Sequence, residues 1–483
     1  MRLTTRLRFC ASDPAPLDDD HFAAGISGEG YNAGGANDTR LNGTYNVALQ
    51  KGEIIVVTHS YRLGIFGFVA SGDLTMRDPT AGTTGNYGIQ DQRAAMQWTS
   101  ENIGQFGGDP EKIFIVGHGG GANSVSQHLV RPASWPYFSS AGMLGGAFAD
   151  GMDTPTVEDQ EDHWDRLCEY LNCTYQYGHI SARQRVSCVA TTPMEVLREA
   201  DYRDHHPWTA TIDGRDLTDN GWVLAVRGQL AQVPILAGAA REDLTAPMRI
   251  AVESAVSAAP RCEKEFECTE DDFRAFGLSL GLDTYEQQQL VRSPFPLNHH
   301  TRSERWPCCT QVDVYRGRGG TDENFLENGS PPEPSSATAW YWAIQHAASD
   351  ALGLCAARRM IKYYTVHGQN GFLFYWTHVP DGRETACHGC EVPFAFHVLS
   401  ETKEQDRESG GTHHINADNP LEVELSAQMG TPAPLRFCPA ANLMWCVCSR
   451  LFHGDGWHWG AEPAGWYLRR LQLRRPERPL RRA

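Results

Sequence analysis

The chain has 483 residues, of which 41% are hydrophobic and 21% charged, with 47 glycines, a composition that builds a sizeable globular core and excludes disorder throughout. The net charge is −17, and the last 18 residues carry seven arginines against Glu477, a local +6 that leaves −23 on the remainder. So acidic a body excludes nucleic acid and anionic membrane as natural partners, and no stretch reaches the roughly 20 apolar residues of a membrane-spanning helix.

Residues 1–25 read as irregular, with neither the apolar core of a signal peptide nor an anchor in MRLTTRLRFCASDPAPLDDD. Glu53–Ser60, EIIVVTHS, is a short β-branched run ending in Tyr-Arg-Leu-Gly, the pattern of a buried parallel strand entering a loop. Ile89–Ile103 predicts a helix that brings Ile89, Ala95, Met96, Trp98 and Ile103 near one face and is stopped by Gly104, Gly107 and Gly108. Lys112–Val116 is the next strand, which makes a strand-helix-strand unit. A glycine cluster, GHGGG, then opens a helix running through Leu129, and further strands are expected at Val233–Gly238 and Gly371–Thr377. The alternation predicts one α/β unit over residues 26–430, a mostly parallel central sheet with helices on both faces. Residues 431–483 pass from Pro-rich to Cys- and Trp-rich to Arg-rich composition without a hydrophobic period, as a solvated basic tail or a translation artefact would.

The order of motifs from residue 26 to 430 resembles the type B carboxylesterase family, which includes the cholinesterases and neuroligins. The strongest stretch runs from YRLGIFGF at residue 61 through GNYGIQDQRAAMQW and NIGQFGGDPEKIFIVG to the glycine turn near residue 119. The resemblance implies the α/β-hydrolase fold, carrying a serine, an acid and a histidine in that chain order. The family normally has further residues before the oxyanion loop, including strands at one sheet edge, so the N-terminal strands are expected to be truncated.

The family's nucleophile elbow, Gly-x-Ser-x-Gly, falls on Gly117-His118-Gly119-Gly120-Gly121. The nucleophile position is therefore Gly119, which has no side chain to attack with, and His118 stands where the family usually has glutamate. Ser124 and Ser126 lie one to two turns into the following helix, aimed elsewhere. In LAGAARED the resemblance puts the triad acid on Asp243, beside Glu242, and in ETACHGCEVPFAF it puts the histidine on His388. The oxyanion loop, His-Gly-Gly-Gly-Phe in the family, reads Ser27-Gly28-Glu29-Gly30-Tyr31 followed by Gly34. Gly30 and Gly120 retain N–H donors, but Glu29 replaces a donor glycine. A carboxylate about 4 Å from a developing oxyanion opposes it by about 4 kcal/mol at an effective dielectric of 20, roughly a thousandfold in rate. The Ser-Gly pair that the family has after the elbow helix is Gly145-Gly146 here.

The resemblance also implies a disulfide between Cys173 and Cys188, and Cys262 with Cys268 is a second candidate pair. Cys387-His388-Gly389-Cys390 admits a zinc reading, but no second ligand pair has suitable spacing, so neither metal nor organic cofactor is expected. Fourteen cysteines and the sequons at Asn37, Asn42 and Asn172 suit a secreted or lumenal glycoprotein. Two functions stay open. One is an inactive hydrolase homologue that binds an ester-like molecule or a protein partner, as neuroligins do with glycine at this elbow. The other is an active carboxylic-ester hydrolase, through a misread codon 119 or another nucleophile.

Overall fold

The computed structural model describes residues 7–10, 21–26, 31–32, 34–36, 38–77, 82–148, 154–174, 181–204, 208–241, 243, 349–380, 386–399, 415, 417–430, 455–462 and 465–472. Among these residues seven strands form the central sheet: β1 (Leu7–Cys10), β2 (His21–Ile26), β3 (Ile54–His59), β4 (Ile113–His118), β5 (Ser140–Leu144), β6 (Ile235–Ala240) and β7 (Gly371–Trp376). Their spatial order is β1-β3-β2-β4-β5-β6-β7. β1 runs antiparallel to β3, and the other neighbours pair in parallel.

Strand alternation divides the core in two. Ile55 and Val57 of β3, Ile113 and Ile115 of β4, Ala141 and Met143 of β5, and Ile235 and Ala237 of β6 all face one hydrophobic cluster. Ile54, Val56, Val116, Leu144, Leu236 and Ala240, of opposite parity along the same strands, face another. A sheet buried on both faces needs apolar residues at every position, which is why these strands read as continuous runs rather than alternating ones. Among the described residues the first face is covered by α1 (Tyr87–Asn102), α2 (Gly120–Leu129) and α5 (Cys355–Val366), with Leu224 and Ala225 of the short helix Gly221–Val226. The second is covered by Leu41, Val47 and the segment from Val392 to Val398.

Between β5 and β6, α3 (Val157–Tyr170) and α4 (Ala182–Thr191) each start on a capping box, Thr156 with Asp159 and Ser181 with Gln184. Each box satisfies two backbone donors that the first turn would otherwise leave open. Cys173 and Cys188 are disulfide-bonded there, with their Cα atoms 5.7 Å apart, in the pairing that the resemblance implied. A buried polar network ties α2 to α1: Arg93 and Arg131 both hold Asp216, and His128 bonds Ser134 and Gln92.

The structure departs from the sequence reading at both ends. Two strands occupy the stretch read as irregular, and β3 is paired on both sides by them. Short segments such as LRFC and HFAAGI take their strand form from the neighbour that hydrogen-bonds them, a tertiary effect that local pattern does not show. In the tail, β8 (Asp455–Glu462) and β9 (Gly465–Gln472) form an antiparallel hairpin across a two-residue connection. Trp457, Trp459, Trp466 and Tyr467 are strand-favouring types, a signal that the Arg-rich average of the segment hid.

Candidate active site

The turn onto which the resemblance places the nucleophile elbow has a strained backbone. Gly119 lies between β4 and α2 with φ 56° and ψ −119°, a backbone region that L side chains enter at a cost. Its N–H donates to Leu144 O at 3.0 Å, and its carbonyl accepts from Asn123 N at 3.0 Å, so the turn is held by β5 on one side and α2 on the other. Gly117 is required: a Cβ there would overlap the backbone carbonyl of Gly121. Gly146 packs against the turn, where a Cβ would stand 2.8 Å from Gly119 O. Gly120, the first residue of α2, has an N–H with no acceptor within the helix.

Asp243, just beyond β6, is buried, and its Oδ1 accepts from Ala240 N at 3.3 Å. The same oxygen is 3.2 Å from His388 Nδ1. The contact has ion-pair distance, but His388 Nδ1 lacks the alignment of a hydrogen bond. Space for the pair depends on two glycines. A Cβ on Gly145 would lie 3.1 Å from both Asp243 Oδ1 and His388 Nδ1, and one on Gly353 would lie 2.9 Å from Asp243 Oδ2.

The structure adds two partners whose roles the sequence reading did not assign. His118 stacks on His388 with ring centroids 4.1 Å apart, and its Nε2 lies 3.9 Å from Oε1 of Glu391, which is fully buried. Glu391 stands three residues after His388 in the ETACHGCEVPFAF stretch that carries the resemblance, and that stretch is the signal that points to it. Four ionisable groups thus run in series: Asp243, His388, His118 and Glu391. Burial pulls the His388 pKa down, but the Asp243 carboxylate and then Glu391 outweigh it, and the net shift is upward. His118 goes well below the ordinary histidine value, through burial first, then the neighbouring His388 and Arg40. Burial, then repulsion from Asp243, pushes Glu391 up to about 7. Of the two rings, His388 is therefore the readier to take a proton and His118 the more reluctant.

Cys387 and Cys390 are bonded to each other. The pairing withdraws both sulfurs from the zinc reading, and among the described residues no cluster of three or more His, Cys, Asp or Glu side chains is arranged to hold a metal. Ser124 and Ser126 are buried on α2, their hydroxyls donating to Gly120 O at 3.0 Å and Ala122 O at 3.2 Å, occupied within the helix as expected. Glu29 and Gly30 of the oxyanion loop, Glu242, the Cys262 and Cys268 pair and the sequon residue Asn37 lie outside the described residues. Asn42 is half-buried, its side-chain oxygen accepting from Thr44 N and Oγ1, whereas Asn172 is exposed in a left-handed turn.

The elbow, the acid after β6 and the histidine after β7 follow the chain order of an α/β-hydrolase, and a family model described as the carboxylesterase family matches residues 24–429. The chain belongs to the carboxylesterase family. Among similar curated proteins, rat thyroglobulin is 31% identical over 212 residues, which are 42% of this chain and 7% of thyroglobulin. The neuroligin-like protein glit-1 of Caenorhabditis elegans is 32% identical over 232 residues, 45% of this chain and 29% of that protein. Mouse cholinesterase is 30% identical over 228 residues, 46% of this chain and 36% of that one. The matched part thus spans little more than a third of these relatives at most. Among solved structures, a carboxylesterase of Geobacillus stearothermophilus superposes with a TM-score of 0.63 at 20% identity, covering 88% of this chain and 74% of the other, which shows the shared α/β-hydrolase fold. Among the described residues no helix is long and apolar enough to cross a membrane.

Proposed function

We propose that this carboxylesterase-family chain binds at the hydrolase surface or site and does not cleave esters by the serine route. One observation carries the reading: the elbow position, with its strained turn intact, is Gly119. Asp243 and His388 are the orienting acid and the base of a triad whose nucleophile is missing, and Gly120, Gly30 and Glu29 form an impaired oxyanion site. Loss of a triad nucleophile alone costs on the order of a millionfold in turnover. What binds is an ester-like small molecule or a protein partner, and the likeness to a neuroligin-like protein supports the second. The disulfides suit an oxidising, secreted or lumenal setting, where Asn37, Asn42 and Asn172 are glycosylation sites.

A second reading is an active hydrolase with serine restored at codon 119, which the retained Asp243 and His388 contact supports. Reading the transcript at codon 119 and incubating the protein purified from its natural source with a fluorophosphonate probe separate the two. Absence of a covalent adduct supports the binding reading, and an adduct on any residue that also abolishes ester turnover overturns it.

A further inference from the structure

A triad histidine is ordinarily held from two sides, by its acid and by the serine to which it bonds. Among the described residues no hydroxyl bonds the His388 imidazole. Gly119 offers no hydroxyl, Gly145 offers none from the neighbouring strand end, and the remaining contact to Asp243 is short but poorly aligned for a hydrogen bond. The imidazole nevertheless sits between Asp243 and the ring of His118. A covalent restraint bears on it as well. Cys387 and Cys390 are buried, their Cα atoms are 5.4 Å apart, and the bond between them closes a ring of chain whose two interior residues are His388 and Gly389. Within that ring Cys390 N donates to Cys387 O at 3.1 Å and Gly389 takes φ 79°. Immediately after it, Val392 N donates to Gly389 O at 3.2 Å, carrying the turn into the short helix Val392–Ala395.

We infer that the Cys387–Cys390 disulfide is a positioning element for His388, holding the imidazole on Asp243 in place of the restraint that the missing serine would supply. The bond fixes the backbone on both flanks of a single functional side chain, and it also sets the start of the segment that carries Glu391 beneath His118. The alternative, that it only staples the loop to the core, leaves His388 indifferent to it. Opening the bond with a dithiol reductant yields two cysteine thiols and the oxidised cyclic reagent, so the clamp is also reversible. The inference does not depend on whether the chain is catalytically silent, because its readout is the histidine itself.

The test is a histidine titration by NMR, with His388 assigned through a His388→Ala variant. It compares the parent, the Cys387→Ala/Cys390→Ala variant and the folded parent reduced by dithiothreitol. Cys173→Ala/Cys188→Ala, which removes the disulfide beside α4, is the control. The expected result is a midpoint above the ordinary value of about 6.5 in the parent and the control. It falls by at least about half a unit where Cys387–Cys390 is open, while near-UV circular dichroism shows the fold retained. If the alanine pair does not fold, the reduced parent decides alone. An unchanged His388 midpoint in the open form, or an equal shift in the control, overturns the inference.

Discussion

Replacing Glu391 by glutamine should stabilise the protein above neutral pH and change little in acid. The side chain is fully buried, and neither carboxylate oxygen has an aligned hydrogen-bond partner among the described residues. Its near neighbour His118 is held neutral, so it brings no compensating positive charge. Burial, followed by the Asp243 charge, lifts the group from 4.5 to about 7 in the folded chain. The folded value lies above the unfolded one, so the folded state binds the proton more tightly. The associated stability is fully present below about 4.5 and is lost as pH rises to about 7. At about 1.4 kcal/mol for each unit, the loss comes to about 3 kcal/mol. Glutamine keeps the shape and has no charge to bury. Guanidinium unfolding of the parent and Glu391→Gln at several pH values reads the effect. The difference between the two proteins should grow by about 3 kcal/mol from pH 4.5 to 8 in favour of the variant and then level off. A difference independent of pH, or a parent more stable at pH 8, refutes the reasoning, because either means that the ionised carboxylate is well solvated or well paired.

Three further outcomes follow from the site and its surroundings. Gly119→Ala forces a Cβ onto the turn at φ 56° and ψ −119° and should cost about 1–3 kcal/mol, seen as a lower denaturant midpoint with unchanged far-UV circular dichroism. Asp243→Asn removes the largest influence raising His388, so the His388 midpoint should fall in an NMR titration; no movement would mean that the 3.2 Å contact carries little charge coupling. Cys173→Ala/Cys188→Ala opens a loop of 15 residues and should lower unfolding free energy by about 3 kcal/mol in the chain-entropy model, measured by the same denaturation.

Much of the central architecture was legible because strands buried on both faces leave continuous apolar runs. EIIVVTHS predicted β3, and the helix read over Ile89–Ile103 appears as α1 over Tyr87–Asn102. Trp98, placed on its apolar face, is only half-buried and meets Phe106. The positions that the resemblance assigns at the elbow and in the histidine loop were readable for a different reason: both lie beside glycines that the backbone demands. Gly117 cannot carry a Cβ beneath Gly121, and Gly389 at positive φ would press one against His118. Contacts between distant segments were not legible. His118 looked like an isolated departure from glutamate until β4 and the His388 loop met and set it between His388 and Glu391. Cys387 and Cys390 were read as at most half a zinc site without a second ligand pair, and their bond to each other was not anticipated, because spacing alone does not separate a thiolate pair from a bonded one. β1 and β2 escaped notice because their pairing partner, β3, lies more than two dozen residues further along the chain.

The central claim is that Gly119 deprives the site of its nucleophile while Asp243 and His388 remain in place, and ester turnover by the parent and by Gly119→Ser tests it most directly. The assay uses a short-chain aryl ester against a buffer blank, with Gly119→Ser/His388→Ala and Gly119→Ser/Asp243→Ala run alongside. The account predicts buffer-level turnover by the parent, measurable turnover by Gly119→Ser, and its loss in both double variants. Turnover by the parent above buffer that disappears in His388→Ala would contradict it, since the chain would then be attacking the ester with another group.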